Sequence, residues 1–297
     1  MNGILPLWKP AGMTSHDCVS RIRKLFGTKK VGHTGTLDPQ VEGVLPICIG
    51  QATKIVPFLT DTKKVYIAEL SLGTSTDTED AEGEIIAKKE VQHVPSSEEI
   101  EKVLGEFRGK IIQVPPMYSA VKVNGKKLYE YARANEKVDR PKREVNIHHL
   151  QLLETDENKF KLKVVCSKGT YIRTLCVDIG KALGYPAHMS GLLRTETGSF
   201  TEEDTVSFKQ IEEKADSQQQ SELLFPIIRG LLHLDHYSVD DETSKKVLFG
   251  QKLTKPVINL STDQFVILYQ GEVLAIYQTH PEKLNQIKPV RVFSLKD

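Results

Sequence analysis

Two hydrophobic periods alternate along this chain, and each change of period marks where an element begins or ends. Behind the paired serines of "SSEEIEKVLGEF", Ile100, Val103, Leu104 and Phe107 recur at i, i+3, i+4 and i+7, which predicts an amphipathic helix with a serine cap. Val19, Ile22, Leu25 and Phe26 follow helical spacing after Thr14 and Ser15, either of which can cap that helix. "TYIRTLCVDIGKALG" predicts a third helix, ended by Gly184. "VYIAELSLG", "REVNIHHLQLLE" and "KFKLKVVCS" alternate as strands, and the last two flank the polar turn "TDEN", so they predict a hairpin. Strand runs broken by single helices point to an α+β plan, a mixed sheet with helices packed on it.

After Phe225 the pattern changes. "FVILYQGEVLAIY" predicts two apolar strands around Gln270 and Gly271, "KPVRVFSL" a further strand, and "SKKVLFGQKL" a short helix. These place a small β-rich module at 237–297 after a larger domain at 1–236. A module of that size folds only marginally without support from a neighbour.

The bulk numbers narrow the class. A chain of 297 residues that is 39% hydrophobic and 27% charged can bury a substantial core and reads as an ordinary globular protein. No apolar run approaches the roughly 18 residues that span a bilayer, and "MNGILPLWKP" lacks the basic start and long apolar stretch of a secretion signal, so a cytoplasmic location is expected. Cys18, Cys48, Cys166 and Cys176 form no CxxC pair, which argues against zinc and predicts reduced, buried thiols.

The net charge of +1 argues against a nucleic-acid partner only on average, because a partner feels a patch. Arg21, Arg23, Lys24, Lys29 and Lys30 follow one another without an acid between them, and Lys122–Arg143 holds eight basic residues against three acidic ones. Such runs serve equally as solvated faces or as phosphate contacts.

Several site types are absent from the sequence: a GxxxxGK[ST] phosphate loop, a GxSxG nucleophile elbow and an HExxH zinc helix. "DTEDAEGE" fails as a calcium loop, since its glycine falls one place late and the distal glutamate is missing. What stands out is "KVGHTGTLDP", where Gly32, Gly35 and Pro39 shape a loop that presents Asp38. An aspartate in a turn commonly bonds its own backbone, and that reading stands beside a catalytic one.

Taken together, "GILPLWKPAGMTSHD", "KVGHTGTLDP", "GVLPICIGQATK", "PPMYSAVKVNGKKLYEYAR" and "SKGTYIRTLCVDIG" resemble the TruB family of tRNA pseudouridine synthases, in order, over roughly residues 3–200. The resemblance implies isomerisation of one uridine, position 55 in the T arm of tRNA, to pseudouridine. That reaction breaks the C1'–N1 bond and rejoins the base through C5 without redox change, so no cofactor and no metal are expected. Asp38 is then the nucleophile, a role that suits a carboxylate because it can form a covalent intermediate and still depart. Whether it attacks the uracil or the sugar carbon, or serves a glycal route, stays open.

Other positions follow by the same resemblance. Arg173 matches the arginine that keeps the aspartate ionised, and Tyr66 the tyrosine that stacks on the target base and takes part in proton handling. Tyr171 packs against the catalytic pocket, and Leu192 contacts the uracil. His33 fills the space left by the flipped base, whose extrusion costs a few kcal/mol. Asp80 lies near the pocket, while Lys122 holds a phosphate or orients Asp38. Arg21, Arg23, Lys126, Lys127 and Arg143 are expected on the tRNA backbone, reading shape more than sequence. Trp8, Val41 and Glu42 depart from the common pattern without touching these positions.

The C-terminal module resembles a PUA-like RNA-binding unit and is expected near the acceptor side. A monomer acting on tRNA, without guide RNA or an obligatory protein partner, is the leading expectation. A tRNA-folding chaperone and a guide-RNA-dependent synthase are the alternatives; "CSKGTYIRTL" and the short C-terminal module favour the stand-alone enzyme.

Overall fold

The computed structural model describes residues 1–294 and divides into two compact units, Met1–Thr62 with the described residues from Thr197 onward, and Lys63–Glu196. In the first, strand Gly3–Lys9 lies antiparallel to Glu42–Ile49, from Gly3 opposite Ile49 to Lys9 opposite Gly43, and the short strand Val31–His33 also pairs with Glu42–Ile49. Helix Ser15–Leu25 connects these strands and buries Cys18, Val19 and Ile22 on its apolar face. Its cap is Thr14: the hydroxyl accepts from Asp17 N, while the Asp17 carboxylate accepts from both the Thr14 hydroxyl and Thr14 N, and these two bonds, the hydroxyl's first, hold the Asp17 carboxyl below its usual value. Ser15 is thereby left for another task.

The described part of the C-terminal segment forms a five-stranded mixed sheet in the order Asp235–Ser238, Gln264–Tyr269, Glu272–Thr279, Gln286–Val292 and Leu253–Thr254, with only the first pair parallel. Period-two alternation gives it two buried faces. Phe265 and Ile267 pack with Val247 of helix Asp241–Leu248, while Val266 and Leu268 share a core with Ile4, Val44, Ile55 and Leu59. The support that so small a module needs therefore comes from the first 62 residues together with Phe200 and Leu231, and position 236 lies inside this unit. Lys54 Nζ donates to the Val292 carbonyl, and Gln51 exchanges hydrogen bonds with the Ser294 backbone. The helix expected over 244–253 begins earlier, because Asp240 caps it by accepting from Thr243 N, and it ends at Leu248. Strand Gln286–Val292 takes up most of "KPVRVFSL", whose Leu295 lies outside the described residues.

In the second unit the strand order is Ala187–Thr197, Lys64–Leu72, Lys159–Cys166, Arg143–Asp156 and Gly109–Gln113. The expected hairpin joins Arg143–Asp156 to Lys159–Cys166 through a tight turn, with Glu157 in the left-handed region at φ 49°. Helices Ser97–Glu106, capped by Ser96, and Ile172–Ala182 cover one face and bury Ile100, Leu104, Leu175 and Ile179 with Leu70, Leu162 and Val164 of the sheet. The α+β plan with a mixed sheet is therefore the one observed. Strand Ala187–Thr197, by contrast, does not show in the sequence, because "AHMSGLLRTET" alternates poorly and seven of its eleven residues are only partly buried.

All four cysteines are free and buried, and burial pushes the Cys166 and Cys176 thiols up to about 11 and about 12. No helix among the described residues is long and apolar enough to cross a membrane, and no metal-binding group of His, Cys, Asp and Glu occurs among them.

Candidate active site

Asp38 sits half-buried in the loop after Val31–His33, and the backbone on both sides of it is braced. On one side, Ser15 Oγ accepts from Leu37 N at 2.9 Å and lies 3.2 Å from the Leu37 carbonyl oxygen. On the other, Val41 N donates to the Asp38 carbonyl at 3.1 Å, and Gly12 N to the Pro39 carbonyl at 3.0 Å.

The strongest brace is Lys9, which the sequence reading passed over. Its side chain is fully buried, and Nζ donates to the carbonyls of Pro10 (2.9 Å), Pro39 (2.9 Å) and Val41 (2.7 Å). A buried ammonium needs such partners, and these three carbonyls supply them. The first strand thus fixes the loop that carries Asp38. Val41 is held by its backbone, Glu42 accepts from Ala11 N, and Trp8 packs into the core. His33 ends its strand half-buried, with Nδ1 accepting from Gly35 N at 3.3 Å.

In the second unit, Arg173 occupies the first turn of helix Ile172–Ala182 and is 6% exposed. Nη1 donates to the Thr78 carbonyl and Nη2 to the Tyr118 carbonyl, each at 3.0 Å, and Nη1 lies 3.6 Å from Asp80 Oδ2. Arg173 and Asp80, each expected near the pocket by resemblance, are thus brought together. Asp80 is itself oriented, with Oδ1 accepting from Thr78 Oγ1 and Glu82 N. The guanidinium is a preorganised charge that need not move to meet an anion. Its helix approaches the neighbouring strand so closely that a Cβ on Gly180 would fall 2.2 Å from that of Ala187.

Tyr171 precedes this helix, and the buried Gln113 side chain holds both its N–H (3.0 Å) and its carbonyl (3.1 Å). Tyr66, opposite Val164 in the sheet, and Leu192 both pack half-buried against the unit's core. Lys122 is exposed on a small hairpin that pairs Lys122–Val123 with Lys126–Lys127, its turn made by Asn124 (φ 52°) and Gly125 (φ 82°). The Asn-Gly pair in "KVNGKK" is the local signal for this hairpin.

The expected phosphate contacts are mostly engaged within the chain. Arg21 pairs with Glu212 and lies 4.3 Å over the Phe208 ring, and Arg23 donates to the Val31 carbonyl. Lys126 meets Glu136 at 2.8 Å, and Lys127 lies over Tyr129, while Arg143 is exposed. Partly exposed pairs of this kind contribute little to stability and can exchange for phosphate.

Two family models match the chain. The TruB family pseudouridylate synthase N-terminal domain covers residues 23–172, and the tRNA pseudouridylate synthase B C-terminal domain covers 173–233. The tRNA pseudouridine synthase B of Oceanobacillus iheyensis is 63% identical over 303 residues, spanning 100% of this chain and 99% of its own. That of Listeria innocua is 51% identical over 304 residues, with coverage of 100% and 99%. Among solved structures, a Cbf5-Nop10-Gar1 complex matches with a TM-score of 0.76 at 30% identity, covering 99% of this chain and 84% of that one. An H/ACA RNP bound to a substrate RNA containing 2'-deoxyuridine matches with a TM-score of 0.76 at 26% identity, covering 99% and 86%.

Proposed function

Because this chain belongs to the TruB family of pseudouridylate synthases, we propose that it converts uridine 55, in the T arm of tRNA, to pseudouridine, acting as a single chain without guide RNA. The observation that carries this reading is 63% identity to a tRNA pseudouridine synthase B across 100% of this chain and 99% of that one.

Asp38 is the nucleophile in this proposal, on a loop held by Lys9 and Ser15. Arg173 supplies fixed positive charge, and Tyr66 stacks on the base and handles a proton. Those roles rest on the resemblance to the TruB motifs, and the reaction has a use for each. The C1'–N1 bond breaks, the uracil turns over, C5 bonds to C1', the C5 proton leaves and N1 gains one. Product and substrate are isomers, so no group donor is consumed. The uridine has to leave its stack first, and a few kcal/mol of unstacking falls to protein contacts such as those assigned to His33 and Leu192.

The Cbf5 structures belong to assemblies with other proteins, and they favour a second, guided reading. A short RNA carrying only the T-arm stem and loop separates the two. Purified protein is expected to form pseudouridine in it without guide RNA or added protein, with binding that weakens as salt rises. Product appearing only with a complementary guide and partner proteins would replace the stand-alone reading with the guided one.

A further inference from the structure

We propose that Glu79 is a positioning residue for Arg173, an inference that rests on the functional reading of that arginine. Glu79 adopts a left-handed backbone, φ 66°, a conformation that ordinarily favours glycine. That twist directs two successive carbonyls to different partners. Thr78 O accepts from Arg173 Nη1 at 3.0 Å, and Glu79 O accepts from Met189 N at 3.0 Å.

The side chain turns inward, 18% exposed, and Oε2 accepts from Thr174 Oγ1 at 2.6 Å. Thr174 follows Arg173 in the same helix. Three consecutive residues, Thr78, Glu79 and Asp80, therefore grip two consecutive residues, Arg173 and Thr174, through a carbonyl and two carboxylates. A third segment joins on the far side, where Arg140 Nη1 lies 4.0 Å from Glu79 Oε1 and donates to the Pro115 carbonyl.

The charged and titratable groups facing Glu79 are Arg173, Cys176 and Asp178 from the helix and Arg140 from the other side, with Asp80 next in sequence. Burial raises the Glu79 carboxyl, and the Thr174 bond and the two arginines oppose that rise. A strained, inward-turned carboxylate bonded beside Arg173 fits positioning of that arginine rather than mere hydration of the surface, since backbone strain persists only where its surroundings hold it.

The test compares wild type with Glu79→Gln, Glu79→Ala, Glu79→Gly and Thr174→Val in single-turnover reactions on tRNA transcript, with melting temperatures measured alongside. Glu79→Ala, Glu79→Gly and Thr174→Val are expected to lower the saturating rate by about tenfold while the half-saturating enzyme concentration stays within about twofold, as a misplaced arginine predicts. Glu79→Gln keeps an acceptor for Thr174 and is expected to recover most of the rate. An active wild type with an unchanged Glu79→Ala rate overturns the inference alone. So do losses that follow melting temperature without rescue by glutamine. A wild type that forms no pseudouridine overturns the functional reading and this inference with it.

Discussion

Asp38→Asn is expected to abolish pseudouridine formation, lowering the single-turnover rate by at least about 10^4-fold, as removal of a nucleophile does elsewhere. Asparagine keeps the size of the side chain and leaves in place the backbone bonds that Ser15, Lys9 and Val41 make around this loop. The loop therefore keeps its course, and what is lost is the anionic oxygen that forms the covalent bond. Binding of tRNA is expected to stay within about threefold, because affinity for RNA comes mainly from phosphate contacts. Filter binding together with a time course of product formation checks both halves. An Asp38→Asn protein that still makes pseudouridine would remove the nucleophile from the account. If the variant also promotes tRNA folding as well as wild type does, a chaperone role exists beside the chemistry; if not, such a role depends on catalysis.

Lys9→Met is expected to destabilise the protein and slow it together. Methionine replaces the buried stem but leaves the carbonyls of Pro10, Pro39 and Val41 without the ammonium. Hydrogen bonds to a charged group contribute about 1.5–3 kcal/mol each and are not additive, so a loss of roughly 3 kcal/mol is expected. At 2–4 °C per kcal/mol, melting falls by about 6–12 °C. The loop that carries Asp38 loses two of its anchors in the same step, and a displacement near 1 Å lowers the rate about 10^2-fold. Thermal melts and single-turnover rates below the melting range test the two effects separately. Unchanged melting and rate would show that Lys9 does not brace the loop.

How far these features could be read from the sequence depended on the range of the interactions involved. Helix Ser97–Glu106 and the hairpin of Arg143–Asp156 with Lys159–Cys166 were legible because spacing, capping and turn chemistry agree within a dozen residues. Thr14 and Ser15 both offer a cap in sequence, and the reciprocal bonds between Thr14 and Asp17, with the tertiary bond from Ser15 to Leu37, separate them. Lys9 looked like an ordinary basic residue of "WKP", since nothing local shows that its ammonium meets carbonyls 30 and 32 residues away. Glu79 was hidden inside an acidic run, where neither its left-handed backbone nor its bond to Thr174 is visible. The candidate chemical residues came from motif resemblance, while the groups that hold them are contacts distant in sequence. Asp80 shows both sides: the family resemblance suggested it, and the fold supplied Arg173 and Thr78 as its neighbours.

The most direct measurement is nucleotide-resolution mapping of pseudouridine in an unmodified full-length tRNA transcript incubated with the purified protein alone. The account predicts one modified position, uridine 55, formed to completion without cofactor, metal or guide RNA. Modification at another uridine, or none despite tight binding, would contradict it.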